Sequence, residues 1–168
     1  HIQPEIGNRI LSLARDVCLK HEELKPYDPK THIGFLRCLM LRYGVNTNQI
    51  MVNIVTAYDD LNKLSPLTDT LLDKVPEITS MVNNVNTRKA DVAFGEYETL
   101  VYGQPFIEEK IKDLTFEVSA NSFFQTNTIQ GEKLYDETLK AADLTGEEVV
   151  YDLYCGTGTI SLYLSRKA

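Results

Sequence analysis

The stretch EVVYDLYCGTGTISLYLS, residues Glu148–Ser165, decides the fold class of this chain. Its first part, Glu148–Tyr154, is an almost continuous apolar run, which predicts a strand buried on both faces, as in a parallel sheet. The glycines Gly156 and Gly158 follow, and Thr159–Ser165 begins a helix. A strand, a glycine-rich turn and a helix in this order are typical of the opening unit of a doubly wound nucleotide-binding domain.

The two glycines also indicate where a ligand would bind. Because Gly156 and Gly158 lack a Cβ, the turn can be tight and a ligand can approach the backbone. The N-terminus of the following helix offers free N–H groups that favour a carboxylate or a phosphate. The dinucleotide fingerprint would need Gly or Ala where this chain has Ser161. The spacing alone leaves open a tight turn without any ligand.

Residues 1–115 predict an α+β module of helix and antiparallel strands. Apolar residues recur at spacings of three and four in the first helix, and they alternate with polar residues in several later segments. A polar turn at 46–49 joins the first two strands into a hairpin. The predicted elements are the helices Pro4–His21 and Pro66–Val75 and the strands Ile33–Val45, Ile50–Ala57, Ile78–Val85, Thr99–Tyr102, Ile107–Ile111 and Leu114–Ser119.

Residues 116–168 differ in character and are predicted to start a second domain. A helix is predicted over Asn127–Asp143, with Asn127 as its N-cap and Gln130 three positions on, in a capping-box-like arrangement. Gly146 follows the end of this helix, where glycine is favoured. The glycine-turn stretch comes next.

Composition excludes several classes of protein. Seventeen Lys and Arg against 24 Asp and Glu give the 168 residues a formal charge of −7, which argues against a nonspecific polyanion binder but not against reading a folded RNA through a local patch. No segment reaches the roughly 20 apolar residues of a membrane helix, and no signal peptide is visible. The three cysteines form no CxxC pair, so we expect reduced thiols, no metal site and a cytoplasmic protein. The ends at His1 and Ala168 suggest a fragment.

Two strings carry a family resemblance. Asp152–Thr159, DLYCGTGT, resembles the first motif of class I S-adenosylmethionine-dependent methyltransferases. More narrowly, it is similar to the RNA (uracil-5-)-methyltransferases of the RumA/TrmA type. Ser122–Asn127, SFFQTN, resembles the Phe-x-Gln-x-Asn signature of the same family. Both strings stand in the order that the family has.

The resemblance implies a fold and an activity. The chain would hold the family's central α+β domain, residues 1–115, and the truncated first part of its Rossmann-like methyltransferase α/β domain, residues 116–168. Family members methylate C5 of a uridine in rRNA or tRNA with S-adenosyl-L-methionine. A cysteine thiolate adds to C6 of the uracil, C5 attacks the methyl group, and a base removes the C5 proton.

The resemblance also implies what this segment lacks. The family's nucleophile and base are expected downstream of Ala168, so no catalytic residue is predicted within the segment. The iron–sulfur cluster of some members is held mostly by cysteines N-terminal to this region, so none is expected here.

Cofactor contacts carry over from the two motifs. The predicted contacts are Gly156, Gly158, Gln125, Tyr154 and Thr159. The Gln125 amide can both donate and accept hydrogen bonds, and the Tyr154 ring can lie against the cofactor. The alternatives are loop capping for Gln125, core packing for Tyr154 and helix capping for Thr159.

Other residues of the motifs receive different expectations. Phe123 is predicted to contact the RNA base, and Asp152 to orient the glycine turn. Cys155 is expected to be structural, because its small side chain lets the backbone of that turn pack closely. The basic residues Arg37, Arg42, Arg88 and Lys89 could face RNA or could merely be solvated.

Two other functions remain open at this level. One is a class I methyltransferase with a protein or small-molecule substrate. The other is a non-catalytic RNA-positioning module, residues 1–115, with the glycine stretch as a disordered or docked tail. The sequence does not give the oligomeric state, although an unfinished parallel sheet has an edge that could dimerise.

Overall fold

The computed structural model describes residues 3–89 and 95–168. The helices are α1 (Glu5–Lys20), α2 (Leu61–Lys74), α3 (Thr128–Ala142) and α4 (Thr159–Leu164), and the strands are β1 (Leu36–Gly44), β2 (Gln49–Thr56), β3 (Ser80–Val85), β4 (Tyr97–Gly103), β5 (Phe106–Ile111) and β6 (Leu114–Ser119). The chain divides into two compact units. Unit 1 comprises the described residues up to Arg42 together with Ile50–Pro105, and unit 2 comprises Tyr43–Gln49 and Phe106–Ala168.

Unit 1 is built on a four-stranded sheet in the order β1-β2-β3-β4. β3 pairs with β4 antiparallel, as predicted, but it pairs with β2 in parallel. The predicted antiparallel pairing is therefore wrong for β2 and β3 and confirmed for β3 and β4. The reason is α2, because a parallel pair needs a crossover of a dozen or more residues and this helix supplies it.

The predicted helix was too short to indicate a crossover, because α2 begins earlier than predicted. The prediction began this helix at Pro66, but the helix begins at Leu61, after Asp60 has capped it by accepting a hydrogen bond from the Lys63 amide at 3.0 Å. A proline inside a helix leaves the carbonyl four residues earlier without its donor. Here the Ser65 hydroxyl donates to that carbonyl, of Asn62, at 2.8 Å. A side chain thus replaces the lost backbone bond.

The core of unit 1 forms where α1 and α2 pack against each other and where β2 and β3 are buried along almost their whole length. The largest fully buried side chains described in unit 1 are Ile10, Leu24, Phe35, Met51, Ile54, Leu64, Leu67, Leu71 and Met81.

Unit 2 contains the β5–β6 hairpin, α3 and α4. β6 buries Phe116 and Val118 and exposes Thr115 and Glu117, which confirms the predicted single buried face. The predicted cap of α3 is also confirmed, because the Asn127 side chain accepts a hydrogen bond from the Gln130 amide at 3.1 Å.

A buried carboxylate holds three segments of unit 2 together. Glu109 is only 1% exposed and accepts hydrogen bonds from the amides of Val45 (2.7 Å), Asn46 (3.0 Å) and Lys110 (2.9 Å) and from the hydroxyl of Thr128 (2.7 Å). Four donors satisfy a charge that would otherwise be costly to bury. The turn between β1 and β2 belongs to unit 2, and these hydrogen bonds are among those that attach it.

The predicted strand Glu148–Tyr154 does not form, and the prediction is wrong for residues 1–168. Val149, Tyr151 and Leu153 are each about 80% exposed. None of the strands in the described part of the chain pairs with this stretch. Backbone groups without a partner strand stay hydrated, so the apolar pattern alone does not make a strand. The helix expected after it is confirmed as α4.

The compact units do not follow the predicted division of the chain. They separate before β5, whereas the predicted boundary after residue 115 falls inside β6. The boundary between functional domains stays a prediction. Among residues 3–89 and 95–168, no helix has the length and apolar character needed to cross a bilayer.

Candidate cofactor-binding site

The glycine turn of unit 2 has the left-handed backbone geometry that favours glycine. Gly156 has φ 55° and Gly158 has φ 74°, and Gly158 is the residue that precedes α4. The Gly158 amide donates to the carbonyl of Cys155 at 2.7 Å, which closes the turn. A Cβ at either glycine would meet no described atom within 4 Å. The space above the turn is therefore open to a ligand.

Two side chains connect the glycine turn to the rest of unit 2. The Thr157 hydroxyl donates to the carbonyl of Phe123 at 3.3 Å, and the Tyr135 hydroxyl on α3 donates to the Thr159 hydroxyl at 3.3 Å. The first contact joins the two strings that resemble family motifs, Ser122–Asn127 and Asp152–Thr159. The structure thus brings together segments that are more than 30 residues apart in the chain.

Asp152 holds the beginning of α4. Its carboxylate accepts a hydrogen bond from the Ser161 hydroxyl at 2.7 Å. This contact is compatible with the predicted orienting role.

Gln125 lies just before α3, which begins at Thr128. It is half-buried, and its Cβ is 3.5 Å from the point where a Cβ on Gly131 would stand. Within the described part of the chain, the Gln125 amide has no hydrogen-bond partner. Loop capping, the alternative role, belongs to Asn127 instead. The amide is free to bind a polar ligand group.

The aromatic residues of the two strings divide between surface and core. Phe124 is buried against Phe116, with ring centroids 5.8 Å apart, whereas Phe123 is 72% exposed. Tyr154 is 97% exposed, so it does not pack in the core. Phe123 and Tyr154 are the aromatic side chains that a ligand could contact.

Cys155 departs from its expected packing. Its side chain is exposed, and its Sγ lies 3.9 Å from the carbonyl oxygen of Gly156. Close packing of Cys155 is therefore wrong, and no described atom lies within 4 Å of a Cβ built at the neighbouring Gly156. Among the described residues, no group of three His, Cys, Asp or Glu side chains could hold a metal ion.

Sequence reasoning missed the turn that leads into the glycine stretch. Glu148 accepts hydrogen bonds from the amide and hydroxyl of Thr145, at 2.8 and 2.7 Å, and from the amide of Gly146 at 3.1 Å. The Thr145 hydroxyl and amide, followed by the Gly146 amide, lower the pKa of Glu148 to about 2. The signal was present as a Thr three residues before a Glu.

Sequence reasoning also missed Glu109. Ile107, Glu109 and Ile111 share the period of two that defines one face of a strand, so the glutamate could have been assigned to the buried side.

The basic residues proposed to face RNA are partly engaged inside unit 1. The Arg37 guanidinium donates to the carbonyls of Asn86 and Arg88, at 2.8 and 2.6 Å. Arg88 pairs with Glu96 at 3.3 Å. Burial lowers the pKa of Arg42. Lys89 is exposed.

Comparison with known proteins confirms the resemblance. No family model matches the chain. Proteins named as uncharacterized RNA methyltransferases match from Chlorobaculum tepidum, at 47% identity over 167 residues, and from Oceanobacillus iheyensis, at 39% identity over 168 residues. These alignments cover 99% and 100% of this chain but 34% and 36% of the relatives. The chain thus spans about a third of the length of the curated relatives that it matches.

A solved structure resembles the same region. It is the crystal structure of the Pyrococcus abyssi tRNA (uracil-54, C5)-methyltransferase in complex with S-adenosyl-L-homocysteine, with a TM-score of 0.73 and 31% identity. The match covers 92% of this chain and 36% of that protein. The mixed α/β fold with antiparallel strands is therefore shared with a methyltransferase.

Proposed function

We propose that the intact protein is an S-adenosyl-L-methionine-dependent RNA methyltransferase that methylates C5 of a uridine in rRNA or tRNA. The observation that carries the proposal is the contact between the two family strings, where the Thr157 hydroxyl donates to the Phe123 carbonyl at 3.3 Å. The similarity to a tRNA uracil-C5 methyltransferase that was crystallised with S-adenosyl-L-homocysteine supports the same cofactor and substrate class.

The residues of the glycine turn fit the cofactor. The open space at Gly156 and Gly158 admits a ligand against the backbone, and the free amide of Gln125 offers a donor and an acceptor. Tyr154 offers an exposed ring, and Thr159 a hydroxyl at the start of α4. The cofactor, when bound, supplies the electrophilic methyl group. The contribution of this chain is to bind and orient it, with Phe123 available to contact the uracil.

The covalent chemistry is assigned to other parts of the intact protein. The exposed Cys155 lies in the turn, and no acid or base side chain is hydrogen-bonded to its thiol within the described residues. We therefore propose, as the family resemblance implies, that the nucleophilic cysteine and the base that removes the C5 proton lie outside these 168 residues. No step is assigned to an iron–sulfur cluster.

The exposed stretch 149–154 fits a methyltransferase domain that is incomplete in this segment. We propose that it becomes a parallel strand of a Rossmann-like sheet when neighbouring strands of the intact protein lie beside it. We also propose a cytoplasmic location, since RNA of this kind is the substrate.

The cofactor assignment is tested by calorimetric titration of the intact protein with S-adenosylmethionine. Gly158→Val places a branched side chain where the ligand approaches, so we expect affinity to fall by roughly tenfold or more. Gly146→Val is the matched control, because Gly146 has φ 101° and equally open surroundings in another turn. Unchanged affinity in Gly158→Val would exclude the glycine turn as the site.

The reaction is tested with labelled S-adenosylmethionine and unmodified total RNA. We expect 5-methyluridine from the intact protein and none from residues 1–168 alone. RNA containing 5-fluorouridine should trap a covalent adduct that persists in Cys155→Ala. An adduct at Cys155 itself would show that the chemistry lies in the glycine turn. Methylation of a protein or small molecule instead of RNA would favour the alternative substrate class.

A further inference from the structure

Unit 1 contains a cavity that the glycine turn does not use. Its volume is about 560 Å³, within the usual range of ligand pockets. Three aromatic rings and four cationic side chains line it, and we call it the aromatic–cation cavity: Tyr27, Phe35, Tyr58, Lys25, Arg37, Lys63 and Lys89.

One of the rings is buried beneath the cavity and another is partly exposed to it. Phe35 is buried, and its ring centroid lies 4.9 Å from that of Tyr58. Tyr58 is 41% exposed, so part of it remains available to a ligand. A planar base can stack on such a face whatever its identity.

Two of the cations are already held against the rings. Lys63 Nζ lies 5.1 Å from the Phe35 centroid and donates to the Tyr58 hydroxyl at 2.7 Å. The Arg37 guanidinium lies 4.3 Å from the Tyr27 centroid while it donates to backbone carbonyls. Positive charge is thus fixed beside the stacking surface before any ligand arrives.

The charge balance of the cavity is opposite to that of the protein. Four cationic side chains face it, against the carboxylates of Glu22 and Glu23, in a chain whose formal charge is −7. The Glu23 carboxylate is paired with His21 at 3.0 Å. The cavity therefore favours an anion.

A glycine fixes one wall of the cavity. Gly34 has φ 123°, and a Cβ there would lie 2.2 Å from the carbonyl oxygen of Pro26. The loop thus approaches its own backbone more closely than another residue would permit. The Asp28 carboxylate stabilises the same loop by accepting hydrogen bonds from the Lys30 amide and the Thr31 hydroxyl, at 2.8 and 2.9 Å. A loop held in this way gives a ligand a formed surface.

We infer that the aromatic–cation cavity binds one unpaired nucleotide of the RNA substrate, with the base against Tyr58 and the phosphate near the lysines. A simple anion would not need the aromatic surface, and an apolar partner would not need the cations, whereas a nucleotide uses both. The inference rests on the proposed function, because it assigns RNA as the ligand.

The test measures RNA binding by the intact protein. The probe is a fluorescein-labelled uridine oligonucleotide of about twelve residues, followed by anisotropy. Tyr58→Leu removes the ring, and we expect about tenfold weaker binding. Tyr58→Phe keeps the ring and should retain most of the affinity. Tyr102→Leu, at a tyrosine that is 48% exposed elsewhere in unit 1, should bind like the wild type.

A charge variant tests the phosphate contact separately. Lys63→Gln should weaken binding severalfold and reduce the salt dependence by about one phosphate contact. Lys20→Gln, at an exposed lysine of α1 outside the cavity, should leave both unchanged. Circular dichroism should show that all variants are folded, and their affinity for S-adenosylmethionine should equal that of the wild type.

The outcomes distinguish the cavity from the proposed function. Wild-type affinity in both Tyr58→Leu and Lys63→Gln would overturn the inference that the cavity binds a nucleotide, and this is the result expected if the cavity binds a protein partner instead. Failure of the wild type to bind the oligonucleotide would overturn it as well. If the wild type binds the oligonucleotide and the variants lose it, but no RNA is methylated, the cavity stands and the proposed reaction is wrong.

Discussion

Two regions of the molecule have similar sequence patterns and different structures. In unit 1, β2, α2 and β3 form a parallel crossover whose strands are almost completely buried. In unit 2, residues 149–154 have an equally apolar pattern and precede α4, yet they are exposed and form no strand. Sequence reasoning predicted antiparallel pairing for the first region and a parallel strand for the second.

The difference shows what an apolar run specifies. It specifies a tendency to be buried, but a strand exists only where a neighbour accepts its hydrogen bonds. β3 has β2 on one side and β4 on the other, in continuous register from Ser80 to Val85 apart from one irregularity after Met81. The stretch 149–154 has no such neighbour among the described residues.

Hydrogen exchange gives the largest expected contrast between the two regions. In residues 1–168, amides in the centre of β2 and β3 should exchange only on global unfolding, slowed by about a thousandfold or more. The amides of residues 149–153 should exchange within about tenfold of the unprotected rate. The measurement is exchange followed by NMR or mass spectrometry. Strong protection of 149–153 would mean that this stretch does have a strand partner, and the comparison would fail.

A pair of leucine truncations tests the same contrast by stability. Leu64→Ala removes a fully buried side chain of α2 and should lower the free energy of unfolding by about 2–5 kcal/mol. Leu153→Ala removes a side chain that is 82% exposed and should change it by less than about 0.5 kcal/mol. Urea denaturation of residues 1–168 measures both. A Leu153→Ala loss as large as that of Leu64→Ala would show that the stretch is packed.

Glu109 tests whether polar contacts stabilise unit 2, in which residues 149–154 form no strand. Glu109→Gln replaces one acceptor oxygen by a donor beside groups that are themselves donors, so we expect a loss of about 2 kcal/mol. Glu117→Gln, on the exposed face of β6, is the matched control and should lie within about 0.5 kcal/mol of the wild type. Equal free energies of unfolding for the two variants would contradict the claim that the Glu109 hydrogen bonds stabilise unit 2.

The smallest expected effect concerns pH at the turn before the stretch. The pKa of Glu148 is lowered from 4.5 to about 2, so its folded form favours the ionised carboxylate. Its contribution to stability is complete above pH 4.5 and is lost as the pH falls towards 2. A carbon-13 titration of the Glu148 carboxyl measures the midpoint. Thr145→Val removes the hydroxyl donor and should move the midpoint upwards, and an unchanged midpoint would contradict the assigned cause.

Local patterns predicted most elements, and tertiary partners decided the rest. The Asn127 cap and the alternation of β6 could be predicted because both depend on neighbours within a few residues. The direction of β3 could not, because it depends on α2, whose beginning was obscured by Pro66. In the candidate site, the positive φ of Gly156 and Gly158 agrees with the expected tight turn. The contacts of Thr157 and Tyr135 with distant residues were invisible in the sequence.

The hydrogen bonds of Glu109 have a consequence for cutting the chain. A segment that starts at Phe106 contains all the helices and strands of unit 2 from β5 onwards, but not Val45 or Asn46. Its buried carboxylate would keep only the Lys110 amide and the Thr128 hydroxyl as donors. We therefore expect a contiguous piece beginning at β5 to be less stable than one that keeps the two lost donors. Any dissection of this region must carry the β1–β2 turn with it, although that turn precedes β5 by some 60 residues.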